Sequence, residues 1–149
     1  MKNLITVTLS LLITISSYGQ SYFEKYQAIA DSFELKYGIP SSLMLGVAYH
    51  ESGAGKSVAA KYLNNHFGIK GSNNLKNTHN IKSSYKYYEN VSKSFEGFCL
   101  LIMKKELYTK LKGTSDVNKW VVAIGMTNYA STKTWCSKVL SIINKNKLT

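Results

Sequence analysis

The chain has 149 residues, 44% of them hydrophobic and 18% charged, with 19 basic against 8 acidic side chains and a formal net charge of +11. Every basic residue is lysine and no lysine block is longer than Lys104-Lys105; the bidentate modes by which arginine reads bases and phosphates are weak here, and the charge fits general attraction to a polyanion outside the cytoplasm better than sequence-specific nucleic-acid binding. The two cysteines have no Cys/His cluster at zinc-ligand spacing around them, so no metal and no other cofactor is expected.

The chain opens with Met1-Lys2-Asn3, an apolar run from Leu4 to Ile15, and Ser16-Ser17-Tyr18-Gly19-Gln20. This reads as a secretory signal peptide cut after Gly19, its apolar run being too short to span a bilayer. The expected location is periplasmic or extracellular, with membrane contact only during export. Residues 20–149 suit one domain with a single core.

Tyr22, Tyr26, Ile29, Phe33 and Tyr37 recur at helical spacing and predict an amphipathic first helix. Gly38 ends it, and Ile39-Pro40 starts a second helix, with Pro40 suited to the first helical position. That helix carries Leu43, Met44, Leu45, Val47 and Ala48 and runs to Glu51, where Gly53 and Gly55 break it. Ser57 predicts the cap of a short third helix through Leu63, closed by Asn64-Asn65. Phe67-Gly68-Ile69 reads as an apolar plug in a turn. Gly71 to Asn80 is polar and predicts a loop, and Tyr-rich Ile81 to Val91 a strand or half a hairpin. A fourth helix, capped by Ser92 or Ser94, carries Phe95, Phe98, Cys99, Ile102 and Met103 and ends at Gly113. Ser115 caps a fifth, with Trp120, Val121 and Ile124. Thr132 or Ser131 caps the last, with Trp135, Val139, Ile142 and Ile143 inward. The fold class is mostly helical α+β with one small β element. Cys99 and Cys136 fall on apolar helix faces, and both a disulfide and two buried free thiols are open to them.

Glu51 sits where a buried helix meets a glycine-rich turn. A carboxyl in a partly apolar cleft is shifted toward its protonated form and acts as a general acid near neutral pH. The segments around it are Gly38-Ile39-Pro40, Glu51-Ser52-Gly53-Ala54-Gly55-Lys56-Ser57, Asn64-Asn65-His66-Phe67-Gly68-Ile69-Lys70-Gly71, Tyr85-Lys86-Tyr87-Tyr88-Glu89 with Ser94-Phe95, and Asn128-Tyr129-Ala130. In this order they resemble the peptidoglycan glucosaminidases of the autolysin and flagellar-rod type, across nearly the whole chain after the signal segment.

The resemblance implies a lysozyme-like domain with a small β element beside an active-site cleft. Glu51 would protonate the glycosidic oxygen beyond N-acetylglucosamine, and Tyr129 would position the 2-acetamido group or a water. Asn65, Phe67 and Tyr88 would lie along the substrate, Asn65 either bonding sugar or only holding its turn. His50, His66, Ser52 and Ser57 read as structural. The partner is the glycan strand of peptidoglycan.

One departure stands out: from Gly71 to Tyr88 there is no Asp or Glu, and Thr78-His79 stands where the family has a Thr-Glu pair. A glycosidase ordinarily uses two carboxylates. Three readings stay open: Glu89 as the second carboxylate, the substrate's own acetamido group as the nucleophile, or a domain that binds glycan and cuts it weakly. A lytic transglycosylase or muramidase is the rival enzyme, although the Gly-Leu-Met-Gln-like segment that follows Glu-Ser in those families is absent.

Overall fold

The computed structural model describes residues 21–129 and 132–148. The predicted signal segment, Ala130 and the candidate cap Ser131 lie outside them.

Among the described residues eight helices follow one another. Helix α1 covers 21–37, and the others are α2 (Ser41–Ser52), α3 (Val58–Leu63), α4 (Leu75–His79), α5 (Val91–Met103), α6 (Glu106–Leu111), α7 (Val117–Gly125) and α8 (Trp135–Lys145). The predicted face of α1 is the buried one: Tyr22, Tyr26, Phe33 and Tyr37 are each under 10% exposed. Gly38, at φ +66°, takes the left-handed conformation that ends α1 and donates its N–H to Glu34 O. Glu34 then reaches forward, its Oε2 accepting the N–H of Ser41, so one side chain bridges the end of α1 and the start of α2. Pro40 takes the N-cap position of α2, one residue before the expected first helical place.

Helix α2 is buried on all sides from Ser41 to Ala48. Its neighbours α1, α5, α7 and α8 supply Phe33, Phe95, Trp120 and Val139 to one apolar cluster around it. A helix that is apolar all round belongs at the centre of a fold, and α2 is the rod on which Glu51 is mounted.

The structure differs from the sequence reading in several places; the last helix, for one, has Thr134 at its N-cap and not Thr132. The small β element reduces to one isolated antiparallel bridge, Lys70 to Tyr85. Backbone bonds from Gly71 N to Ser84 O and from Lys86 N to Ile69 O extend the pairing without making a strand. The predicted loop holds α4, because Asn73 Oδ1 caps the N–H of Leu75 and Leu75 is buried against Ala59 and Leu63. The predicted fourth helix is two, broken at Lys104-Lys105. Finally, the caps of α5 and α7 are Asn90 and Asp116, whose side chains accept from Lys93 N and Lys119 N; Ser94 is buried and accepts the N–H of His66 instead. Both cysteines are free thiols, Cys99 against Met44 Sδ and Cys136 against Val121 O.

Candidate active site

Glu51 lies in the last turn of α2. The backbone beyond it turns through three consecutive left-handed residues, Gly53, Ala54 and Gly55 (φ +56°, +57° and +77°). Ser52, fully buried, pins this turn: its Oγ donates to Ala48 O and accepts from Gly55 N. The chain resumes as α3 with Ser57 Oγ accepting from Ala60 N, the cap that its position predicts. The Glu-Ser-Gly stretch thus ends a buried helix abruptly and leaves Glu51 half-buried at its lip.

The facing wall is the turn from Asn65 to Lys70. Asn65 is 1% exposed and holds it from within. Its Nδ2 donates to Ile69 O and Lys86 O, both at 2.8 Å, and its Oδ1 accepts from the N–H groups of Phe67 and Ile69. Both amide hydrogens are committed, so Asn65 shapes the turn. Phe67 is in the core, stacked on Phe98 with ring centroids 4.5 Å apart. Gly68, at φ +65°, brings bare backbone against Glu51: a Cβ added there would stand 3.5 Å from Oε2.

Two depressions meet at this point. One, of about 400 Å³, runs toward Ser57, Ile81 and Ser83. The other, of about 520 Å³, runs toward Leu101, Lys105 and Tyr129. Glu51, Gly68, Lys70 and Tyr85 line both, making one groove with the carboxylate at its middle. Glu51 is the sole carboxylate lining either part among the described residues, and Lys70, Lys82 and Lys105 give the groove a positive field. Lys70 Nζ lies 3.8 Å from the centroid of the Tyr85 ring.

Trp135, which sequence reasoning placed simply inward, meets the carboxylate. Its Nε1–H donates to Glu51 Oε1 at 2.6 Å, with the indole itself 1% exposed. Oε1 is therefore held from behind, and Oε2 faces Gly68 and the groove. No spacing rule links a tryptophan on α8 to a glutamate 84 residues earlier, so the sequence carried no signal for the contact. Lys105 is likewise brought to the groove by the fold alone, whereas Lys70 and Tyr85 stand inside segments that the sequence singles out without showing that they share a groove.

Tyr129 lies beside Trp135 and within the field of the Glu51 carboxylate. Its ring is edge-on to Trp135 at 5.9 Å between centroids, and its hydroxyl donates to Phe67 O at 2.8 Å. The phenol end is deeply packed, although the residue as a whole is half-buried. Burial, and then the nearby Glu51 charge, push its pKa well above the ordinary tyrosine value. It therefore stays a neutral phenol across the physiological range. The remaining candidates stand elsewhere. Tyr88 is buried, its ring packed on Gly97. Glu89 is exposed beside the N-terminus of α5 and lines neither part of the groove. Among the described residues no three His, Cys, Asp or Glu side chains come together as metal ligands.

Residues 27–148 match the family described as mannosyl-glycoprotein endo-beta-N-acetylglucosaminidase. No curated protein matches the chain. Solved structures with the same fold include the catalytic domain of the autolysin Auto from Listeria monocytogenes, at TM-score 0.73 and 22% identity over 89% of this chain and 86% of that one. A C-terminally truncated glycoside hydrolase domain of FlgJ from Salmonella typhimurium gives 0.70 and 19%, over 88% of this chain and 99% of that one. A peptidoglycan hydrolase from Sphingomonas sp. A1 gives 0.68 and 23%, over 87% and 90%.

Proposed function

This chain belongs to the glucosaminidase family, described as mannosyl-glycoprotein endo-beta-N-acetylglucosaminidase, and from that premise we propose that it is an exported peptidoglycan hydrolase cutting β-1,4 bonds of N-acetylglucosamine. The observation that carries the reading is the carboxylate of Glu51 at the middle of an open groove, with one oxygen fixed by Trp135 and the other facing the space a glycan would fill. An apolar N-terminal run after Lys2 supports export.

In this reading Glu51 gives its proton to the glycosidic oxygen as the bond to the anomeric carbon breaks. With no other carboxylate lining the groove among the described residues, the attacking group is the substrate's own 2-acetamido oxygen, which bonds to the anomeric carbon and forms an oxazolinium ring. Glu51, now ionised, takes a proton from the water that opens the ring, which returns the enzyme to its starting state. Two displacements leave the anomeric configuration retained. Tyr129 lines the groove with its hydroxyl hydrogen committed to Phe67 O, so it steers the acetamido group through the flank of its ring and the phenol oxygen as acceptor. Lys70, Lys82 and Lys105 favour an anionic wall polymer over a neutral one.

The test is mass spectrometry of muropeptides released from insoluble peptidoglycan by the native chain and by Glu51→Gln. Reducing N-acetylglucosamine ends are expected from the native chain. Release by Glu51→Gln is expected to fall by roughly 10²–10⁴-fold, the usual contribution of a general acid. An anhydro-muramic end would mean a lytic transglycosylase, and undiminished release by Glu51→Gln would remove Glu51 from the chemistry.

A further inference from the structure

A second concavity, of about 670 Å³, shares no lining residue with the groove around Glu51. Its floor is Leu63 and Leu75, two buried members of the small apolar cluster beneath α3 and α4. Rings form its walls. Tyr62 and Tyr87 are 46% and 52% exposed, and the His79 imidazole leans on Tyr62 with centroids 4.8 Å apart. Asn73 and Asn74 complete the lining with the hydroxyls of Ser72 and Thr78.

The lining contains no lysine, aspartate or glutamate, on a chain that has 19 basic and 8 acidic residues. A phosphate, a nucleic acid or a carboxylate-rich polymer finds no permanently charged partner within it, His79 being its one titratable base. What suits two open aromatic faces above an aliphatic floor, rimmed by amides and hydroxyls, is an uncharged ring with one apolar face and hydrogen-bonding edges. That is the chemistry of a pyranose carrying hydroxyl and acetamido groups. The concavity also backs onto the catalytic groove. Asn73 Nδ2 donates to Ser83 O and Tyr85 O, and those two residues line the groove on the other side.

We propose that this concavity is a second, non-catalytic glycan site, taking uncharged N-acetylhexosamine units through Tyr62 and Tyr87. The sugar chemistry rests on the lining alone; that the sugar belongs to a wall strand rests on the function proposed above. Bound there, a strand holds the enzyme on an insoluble wall independently of the groove.

The experiment uses the Glu51→Gln chain, which cannot consume the ligand, and tri-N-acetylchitotriose as the probe. Nuclear magnetic resonance titration is expected to shift the ring signals of Tyr62, His79 and Tyr87 as a set separate from those of the groove. Adding Tyr62→Ala and Tyr87→Ala is expected to abolish that set and to weaken sedimentation with insoluble peptidoglycan roughly tenfold, the loss of two aromatic contacts. The Tyr62→Phe, Tyr87→Phe chain keeps both faces and is expected to sediment like the parent. With Glu51 restored, hydrolysis of a short soluble substrate by the double alanine chain is expected to be unchanged. Chitotriose shifts confined to the groove would overturn the proposal even in a chain whose catalysis is as described. Shifts at Tyr62 and Tyr87 in a chain that cuts no wall would leave this site standing and sink the catalytic reading instead.

Discussion

At the scale of single residues, the groove is decided by what touches Glu51. A carboxylate has two oxygens, and an acid catalyst is useful only if the right one is presented. Trp135 fixes that choice by binding Oε1 at 2.6 Å. Replacing Trp135 with Phe keeps a ring against Tyr129 and removes the N–H. A hydrogen bond to a charged group is worth about 1.5–3 kcal/mol, so kcat is expected to fall roughly 10–100-fold while KM stays near the native value, because the loss is of presentation, not of sugar contacts. Steady-state kinetics on soluble glycan checks this; a native kcat would mean that Oε2 is presented without the indole. Gly68→Ala probes the opposite side. The methyl would stand 3.5 Å from Oε2, on the side where the proposed mechanism brings the glycosidic oxygen, at a φ of +65° that a side chain resists. Activity is expected to drop at least as far as in Trp135→Phe, and stability by about 1 kcal/mol, read from a thermal melt. Of these residues the sequence singles out Glu51 and Tyr129, through motif and residue type, and both line the groove. It was silent on Trp135, since an inward tryptophan on an amphipathic helix looks the same whether it meets a leucine or a carboxylate.

At the scale of elements, legibility followed the strength of the local code. Helix α1 was readable from its repeating apolar face, and α2 from a continuous apolar run bounded by Pro40 and Gly53, signals that act over many residues and agree with the glycine punctuation. Helix α4 was not, because its Asn, Thr and Lys composition is that of a loop, and one buried Leu75 with one Asn73 cap decides it. The Tyr-rich segment has strand propensity, yet its pairing with residues 69–72 stays a single bridge: the Asn65 side chain takes both Lys86 O and Ile69 N–H, the two groups that would otherwise pair and lengthen the ladder. Packing between elements gave no sequence signal at all. Gly46 lets α8 approach α2 closely; a Cβ there would stand 2.5 Å from Ile143 Cγ1 and 2.9 Å from Cδ1. Gly46→Ala is expected to destabilise the chain by roughly 1–3 kcal/mol through overpacking. Truncating the partner relieves the clash, so Gly46→Ala combined with Ile143→Ala is expected to be less destabilised than the sum of the single changes. Denaturant melts of the three chains decide it, and strict additivity would show that the helices do not meet at Gly46.

At the scale of the whole molecule, one buried histidine couples the first helix, the Glu-Ser turn and the Asn65 turn. His66 is 2% exposed. Its Nδ1 pairs with Tyr22 Oη at 2.8 Å, the same hydroxyl lies 3.4 Å from Ser52 Oγ, and the Tyr26 ring meets the imidazole edge-on. Burial, helped by the Lys25 charge, lowers its pKa from 6.5 to about 4. The proton therefore binds the unfolded chain first as pH falls. The stability that neutral His66 confers is complete above pH 6.5, declines as pH falls through that value, and is gone below about 4. At about 1.36 kcal/mol per pKa unit the full loss is at most roughly 3 kcal/mol. The other large shift in an acid range is that of Glu96, held down to about 2 by Lys93, Lys36 and Tyr37, and its contribution is lost only below the ordinary carboxylate value of 4.5. Between pH 6.5 and 4.5 the decline is thus assigned to His66. His66→Gln keeps a hydrogen-bond acceptor for Tyr22 and cannot take up the proton, so its melting temperature is expected to be lower at neutral pH and nearly level across that window, while that of the native chain slopes. Parallel slopes in the two chains would place the titrating group elsewhere. A native slope absent from His66→Gln would assign the acid loss of stability to the histidine that joins the first helix to the two turns beside Glu51.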